Sequence, residues 1–134
     1  MQKVLLVQGS TVDTDAVNDA LVKASNPPYR VIRETCCGDA ISRLQALRQA
    51  PRAEHVAALL VDLVLPDSTG IETFDRLHRA APQVPMLVLT AAQDEEIAKL
   101  AVQRGAQEYL LKDPLEAHLL PKTVRNMIER AANI

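Results

Sequence analysis

The sequence predicts an α/β domain in which helices cover both faces of a parallel β-sheet. Five short apolar segments alternate along the chain with five segments of helical periodicity, and helices of this length are the usual crossovers between parallel strands. The segments at residues 56–62 and 84–90 are apolar almost throughout, which is typical of strands buried on both faces. With 134 residues, 48% of them hydrophobic, the chain can enclose one core but not two. We therefore treat residues 1–134 as one domain.

The first half of the chain predicts two strand–helix units. Residues 3–7 (KVLLV) and 29–35 (YRVIRET) have the residue types of strands, and the second segment alternates apolar with polar side chains, which predicts a wetter face. Residues 11–24 and 39–49 carry apolar side chains at helical spacing, and prolines follow both segments. These elements are therefore predicted as strand, helix, strand, helix.

The central strand and its turn lie in residues 56–70, VAALLVDLVLPDSTG. Six apolar residues lead to Asp62, which stands where the run gives way to turn-forming residues. A third helix is predicted over residues 71–80, with Phe74 and Leu77 facing the core. Asp62 is thereby placed at the carboxyl end of a buried strand, the edge where open α/β sheets bind their ligands.

The remaining elements repeat this alternation. Strands are predicted at residues 84–90 and 106–111, and helices at residues 94–104 and 115–131. Gly105 follows the fourth helix at the C′ position that helix ends favour. The chain has no repeat and no low-complexity linker, so the single domain is expected to run from end to end.

Composition narrows the functional classes. Fifteen Lys and Arg against seventeen Asp and Glu leave a net charge of −2, so nothing draws the whole chain toward nucleic acid or an anionic membrane. One phenylalanine and two tyrosines cannot form a base-stacking platform. No segment approaches the roughly 18 apolar residues of a membrane span, and the start of the chain lacks a signal-peptide pattern. We expect a cytoplasmic protein that binds neither membranes nor nucleic acid directly.

The cysteines and histidines do not predict a site. Cys36 and Cys37 are adjacent, so they cannot close a useful disulfide loop, and we interpret them as reduced structural thiols, with a redox switch as the alternative. His55, His78 and His118 lack the spacing of metal ligands. We interpret all three histidines as surface residues.

Three predicted strands deliver a polar side chain to one edge of the sheet. Asp62, Thr90 and Lys112 end the third, fourth and fifth strands. A carboxylate can act as nucleophile toward a phosphoryl group, while an ammonium and a hydroxyl can bind the transferred oxygens. Each residue alone has a plainer interpretation, as a turn former, a helix cap or a solvated lysine respectively. The combination predicts a site for phosphoryl transfer.

These segments together resemble the receiver domains of two-component response regulators. The resemblance rests on KVLLV, LLVDLVLPDSTGIE around Asp62, VLT at Thr90 and GAQEYLLK ending at Lys112. Thr90 lies 28 residues after Asp62, and Lys112 lies 22 residues after Thr90, which are receiver-like intervals. The resemblance covers essentially the whole chain. It implies a doubly wound, flavodoxin-like fold with strand order 2-1-3-4-5.

The resemblance also implies a function. Asp62 would accept a phosphoryl group from a histidine kinase or phosphotransfer protein, Thr90 would follow that group, and Tyr109 would swing inward in response. The fourth helix, fifth strand and fifth helix would form the surface that a downstream effector domain or protein reads. Such a domain is a switch rather than an enzyme. Tyr109 has the alternative interpretation of a half-buried strand aromatic.

Gln8 and Gly9 depart from the receiver pattern. Receivers place two acidic residues directly after the first strand, and the second of them binds Mg²⁺. Here only Asp62 and a backbone carbonyl, that of Val64, remain as ligands, whereas protein sites for Mg²⁺ use one or two carboxylates. We therefore expect Mg²⁺ binding to be weak or absent.

The loss of these acids has a consequence for the resting site. With one carboxylate left, we predict that Lys112 pairs directly with Asp62. Ser10, the amide oxygen of Gln8 or Asp13 could partly substitute as metal ligands. Two alternatives to a phosphorylated switch follow: a pseudo-receiver that binds partners without being modified, and, more weakly, an aspartate-dependent phosphohydrolase on the same fold.

Overall fold

Five parallel strands form one sheet at the centre of the structure. The computed structural model describes residues 2–9, 11–23, 28–112 and 117–132. The strands are β1 (Lys3–Val7), β2 (Arg30–Glu34), β3 (Val56–Asp62), β4 (Met86–Thr90) and β5 (Glu108–Leu111). Their order is β2-β1-β3-β4-β5, and every neighbouring pair is parallel. The predicted order 2-1-3-4-5 is confirmed.

Five α-helices connect and follow the strands. They are α1 (Thr11–Val22), α2 (Cys37–Arg48), α3 (Ile71–Ala80), α4 (Glu95–Gln103) and α5 (Leu120–Ala132). A two-residue hairpin joins Val64–Leu65 to Ser68–Thr69 between β3 and α3. This hairpin stands at the carboxyl edge of the sheet, directly after Asp62.

The sheet separates two hydrophobic cores. Successive residues of a strand point to opposite faces, so Leu5 and Val7 of β1 pack beneath α2, α3 and α4, whereas Val4 and Leu6 pack beneath α1 and α5. All four side chains are at most 1% exposed. Burying each such side chain contributes roughly 1.5–3 kcal/mol to stability. The doubly wound arrangement is therefore held by both faces of the sheet.

Edge strand β2 is less buried than the inner strands. Arg30 and Arg33 are exposed, and Val31 and Ile32 are half-buried. Because Arg30 and Arg33 lie on opposite faces of the strand, the exposure is not confined to one face, and the predicted single wetter face was wrong.

Several element boundaries differ from the prediction. Helix α2 begins at Cys37 rather than at residue 39, because Asp67, distant in sequence, accepts hydrogen bonds from the first backbone N–H groups of the helix. Helix α5 begins at Leu120 rather than at residue 115, since residues 117–119 form a 3₁₀ turn. Strands β4 and β5 each begin two residues later than predicted, at Met86 and Glu108.

The interpretation of all three histidines as surface residues was wrong for His78. His55 and His118 are exposed, but His78 is half-buried. Its ring stacks on Phe74 with centroids 5.2 Å apart and planes 15° apart. Gly105 adopts φ +131°, and a Cβ there would lie 3.4 Å from the His78 ring. His78 therefore helps to join α3 to the end of α4.

The two cysteines are free thiols at the start of α2. Cys37 is fully buried, and burial raises the pKa of its thiol. Because the thiolate is the reactive form, this shift disfavours redox chemistry at Cys37. Within the described residues, the structure contains no helix with the length and apolarity of a membrane span.

Candidate functional site

Asp62 ends the central strand in a nearly closed position. The residue is 5% exposed, and its Oδ1 accepts a hydrogen bond of 2.9 Å from the backbone N–H of Val64. The carboxylate is placed there because β3 stops at the point where the hairpin turns away from the sheet. The Asp62 carboxylate is thus held in one position at the carboxyl edge by a hydrogen bond.

Lys112 follows β5 and reaches the same point. Its Nζ donates to Oδ2 of Asp62 over 2.6 Å, so the predicted ion pair is confirmed. The Lys112 and Asp62 side chains are only 15% and 7% exposed. A charge-assisted hydrogen bond in so little water is strong, but each charge depends on the other to offset its desolvation.

Thr90 lies at the same edge but does not donate a hydrogen bond to the carboxylate. It is 4% exposed at the end of β4, and its hydroxyl donates to the Ala91 carbonyl over 3.1 Å. The alternative role as a helix cap was wrong, because α4 begins at Glu95 after a 3₁₀ turn, with Asp94 at its N-cap. In the structure, the Thr90 hydroxyl is therefore bonded to a backbone carbonyl and not to Asp62.

Tyr109 connects β5 to α4. Its side chain is half-buried, and its hydroxyl donates to Oε2 of Glu95 over 2.7 Å. This hydrogen bond to the carboxylate raises the pKa of Tyr109, because it stabilises the protonated phenol. The sequence pattern did not single out Glu95 as a partner of Tyr109, because it predicts only an ordinary acid in the first turn of a helix.

Gln8 and Gly9 form the β1 side of this edge. The Gln8 side chain is buried, and its amide nitrogen and oxygen have no hydrogen-bond partner among the described residues. An unsatisfied buried polar group costs about 1–3 kcal/mol. A Cβ on Gly9 would lie 3.1 Å from Cδ of Pro66, so any side chain at position 9 requires the proline ring to give by a few tenths of an ångström.

The residues at this edge of the sheet (Gln8, Gly9, Asp62, Thr90 and Lys112), which we call the rim, do not fit Mg²⁺. Both oxygens of Asp62 are already engaged, Gln8 is neutral, and Gly9 offers no side chain. The described residues contain no cluster of three or more His, Cys, Asp or Glu that could hold a metal ion. A carboxylate about 4 Å from a unit charge contributes roughly 4 kcal/mol at an effective dielectric near 20, so the missing acids are a large loss for a divalent ion.

Ser10 and the side chain of Asp13, predicted as substitute ligands, lie outside the described residues. The Val64 carbonyl belongs to a residue of the short hairpin that pairs with Thr69.

Asp67 anchors the tip of the hairpin. Its Oδ1 and Oδ2 accept hydrogen bonds from the N–H groups of Cys37 and Gly38, each over 2.8 Å. The bonds from Gly38 and then Cys37 lower the pKa of the Asp67 carboxyl. A second tie joins the hydroxyls of Ser68 and Thr73 over 2.8 Å. The hairpin beside Asp62 is therefore held by both α2 and α3, a feature that no local sequence signal predicted.

Comparison with known proteins relates this arrangement to one family. A family model described as "Response regulator receiver domain" matches residues 13–125. The regulatory protein LuxO of Vibrio cholerae is 38% identical over 76 residues, which cover 57% of this chain and 16% of LuxO. The transcriptional regulatory protein AfsQ1 of Streptomyces coelicolor is 26% identical over 131 residues, which cover 97% of this chain and 52% of AfsQ1. The chain thus spans less than a fifth of the one relative and about half of the other.

Solved structures share the fold. A CheY-like response regulator receiver domain protein from Methanospirillum hungatei superposes with a TM-score of 0.79 at 20% identity, covering 99% of this chain and 98% of its own. A response regulator receiver domain protein from Clostridium thermocellum gives a TM-score of 0.81 at 20% identity, covering 97% and 96%. At this identity the likeness concerns the fold alone.

Proposed function

Because the chain belongs to the response regulator receiver domain family, we propose that it serves as the receiver of a two-component phosphorelay and accepts a phosphoryl group on Asp62. The donor is a histidine kinase or a phosphotransfer protein. The observation that carries the proposal is the 2.6 Å contact between Asp62 and Lys112 at the end of the central strand. In this proposal residues 1–134 act as one cytoplasmic domain, as a switch and not as an enzyme.

The transfer needs only the groups already at the rim. A carboxylate oxygen of Asp62 attacks phosphorus, the bond between phosphorus and the donor's histidine nitrogen breaks, and the imidazole leaves with the electron pair. Lys112 exchanges its bond to the carboxylate for one to a phosphoryl oxygen and offsets the added negative charge. Thr90 releases the Ala91 carbonyl to donate to a second oxygen.

The output lies on the α4–β5–α5 surface. Tyr109 and Glu95 link β5 to α4 by a hydrogen bond of 2.7 Å. When Thr90 turns toward the phosphoryl group, Tyr109 leaves Glu95 and moves inward, and the surface formed by α4, β5 and α5 changes shape. A downstream effector domain or protein reads that change.

A second candidate is the pseudo-receiver, and two observations favour it. The Asp62 side chain is only 7% exposed, so a donor reaches it only after Lys112 moves. The rim also lacks the residues that would hold Mg²⁺. In this case the ion pair of Asp62 with Lys112 is structural, and the α4–β5–α5 surface binds its partner without modification. The phosphohydrolase has no such support, because it would need further acids where Gln8 and Gly9 stand.

Direct labelling separates the two candidates. The purified domain is incubated with acetyl phosphate and Mg²⁺, and its mass is followed, with Asp62→Asn as the matched control. For a phosphorylated receiver we expect one alkali-labile phosphoryl group on the wild type and none on Asp62→Asn. Equal labelling of both proteins, or labelling of neither, contradicts the proposal, and the second of these results supports the pseudo-receiver.

A further inference from the structure

We propose that Gln8 is a phosphoryl-binding residue, whose side-chain amide donates a hydrogen bond to the phosphoryl group on Asp62 and makes the site independent of a divalent ion. The inference rests on the proposed function and adds a residue to it. It starts from a position that carries an acid in other receivers and a neutral amide here.

The register of the sheet places Gln8 beside Asp62. Val7 of β1 is level with Val61 of β3, so the next residues along, Gln8 and Asp62, are level as well. Leu6 and Leu60, two residues earlier on each strand, belong to the same core. Since side chains alternate between faces, Gln8 and Asp62 lie on one face of the sheet.

Lys112 belongs to that same face. Lys112 lies two residues after Leu110, which packs in the same core as Leu6 and Leu60. Its Nζ contacts Asp62 directly. Thr90 lies two residues after Val88, which packs in the opposite core. The amide, the carboxylate and the ammonium therefore share one side of the rim, and the hydroxyl approaches from the other.

The state of the Gln8 side chain points to a ligand. The residue is 3% exposed, yet neither its amide nitrogen nor its amide oxygen meets a hydrogen-bond partner in the described chain. Buried amides are almost always hydrogen-bonded in native proteins. A phosphoryl group on Asp62 would bring acceptor oxygens to this edge, and the Gln8 amide NH₂ is a donor suited to them.

Charge explains why an amide suits a site without metal. An acid at position 8 would repel a phosphoryl group unless a cation lay between them. A neutral donor does not repel it, and Lys112 already supplies a positive charge. Gln8 and Lys112 together can therefore stabilise the transferred oxygens that a divalent ion holds in other sites.

Labelling with and without metal tests this role. Wild type, Gln8→Ala and Gln8→Glu are incubated with acetyl phosphate in excess EDTA and, separately, in Mg²⁺. Attack by Asp62 breaks the bond between phosphorus and the acetate oxygen, and acetate leaves with the electron pair. We expect the wild type to be labelled at the same rate in both solutions, and both variants to be slowed by about tenfold or more in EDTA. Gln45→Ala, an exposed glutamine on α2, is the matched control and should be unaffected.

A second measurement does not depend on rates. In a ¹H–¹⁵N spectrum of the wild type, phosphorylation should shift the side-chain NH₂ signals of Gln8, because the amide gains an acceptor. Gln8→Leu, which keeps the volume without the donor, serves as a second folded variant and should be slowed as Gln8→Ala is.

The outcomes distinguish the two proposals. If the wild type is labelled only with Mg²⁺, if Gln8→Ala and Gln8→Leu are labelled as fast as the wild type, or if the NH₂ signals of Gln8 stay unmoved, the role of Gln8 is overturned and phosphorylation of Asp62 stands. If the wild type is labelled in neither solution, both proposals fall.

Discussion

The two sides of the rim differ in how completely their polar groups are paired. On the side of β3 and β5, Asp62 and Lys112 form a close ion pair, and the second carboxylate oxygen is bonded to the Val64 N–H. On the side of β1, Gln8 is buried without a partner in the described chain, and Gly9 presents no side chain. The polar groups on the β3 and β5 side are therefore hydrogen-bonded, whereas the Gln8 amide on the β1 side is not, within the part of the chain that the structure describes.

This difference shows that the fold does not depend on the missing acids. β1 keeps its pairing with β2 and β3, and the apolar residues of β1 are fully buried on both faces. Positions 8 and 9 follow the last apolar residue of β1, so the chemistry of the edge can differ while the strand pairing and the apolar residues of β1 are kept.

The largest effect should come from breaking the satisfied side. Lys112→Met leaves the Asp62 carboxylate buried without its cation, and removing one partner of such a pair costs about 3–5 kcal/mol. We expect this loss in the free energy of unfolding, measured with urea. The double variant Asp62→Asn/Lys112→Met removes both charges and should regain most of it. A loss below about 1 kcal/mol for the single variant would mean that the pair behaves as a solvated surface contact.

On the β1 side, we expect a substitution to raise the free energy of unfolding instead of lowering it. Gln8→Leu replaces an unsatisfied buried amide with an apolar group of similar size, which should stabilise the domain by about 1–2 kcal/mol. Gln45→Leu on the exposed face of α2 is the control and should change stability by less than about 0.5 kcal/mol. If Gln8→Leu is destabilising in the urea titration, the Gln8 amide is paired at rest and the two sides of the rim are alike.

The hydrogen bonds of Asp67 to α2 should contribute less to stability, and their contribution should depend on pH. Asp67→Asn loses one of the two bonds to α2, which is worth about 1 kcal/mol at a helix N-terminus and less with solvent screening, since Asp67 is exposed. The pKa of Asp67 is lowered from 3.8, so its contribution is full above that value and disappears as the pH falls through the folded-state pKa. The free energies of unfolding of the wild type and Asp67→Asn, measured with urea, should therefore differ at neutral pH and converge at acid pH. A gap that is constant with pH would point to a packing effect.

The smallest change in stability should be at the contact between β5 and α4. Tyr109→Phe removes the hydroxyl that donates to Glu95, and a hydrogen bond of this kind contributes about 0.5–1.5 kcal/mol. Because the Tyr109 side chain is only half-buried, we expect a loss near the lower limit. Glu95→Gln keeps an acceptor and should cost less than Tyr109→Phe, as judged from thermal unfolding. Equal losses in the two variants would show that the hydrogen bond contributes to stability only when Glu95 is charged.

The parts of the structure that follow local patterns were predictable from the sequence. The buried strand ending at Asp62 and the helix over residues 71–80 required only periodicity and turn residues. The pairing of Lys112 with Asp62 followed from counting charges once both were placed at one edge.

Contacts between distant segments were not predictable in this way. The early start of α2 depends on Asp67, which is 30 residues from Cys37 in sequence. The half-buried position of His78 depends on packing against Phe74 and the glycine after α4, and the partner of Tyr109 is 14 residues away on another element. Each of these contacts is set by tertiary packing, for which one sequence carries no periodic signal.

A magnesium titration followed by ¹H–¹⁵N spectroscopy tests the central claim, that this receiver site is built without a divalent ion, most directly. The double variant Gln8→Asp/Gly9→Asp restores both acids and is the comparison. We predict no saturable shift at the Gly9, Asp62 and Val64 amides of the wild type, and a saturable shift in the double variant once the Pro66 ring has given way. Saturable millimolar or tighter binding at those amides in the wild type would contradict the claim.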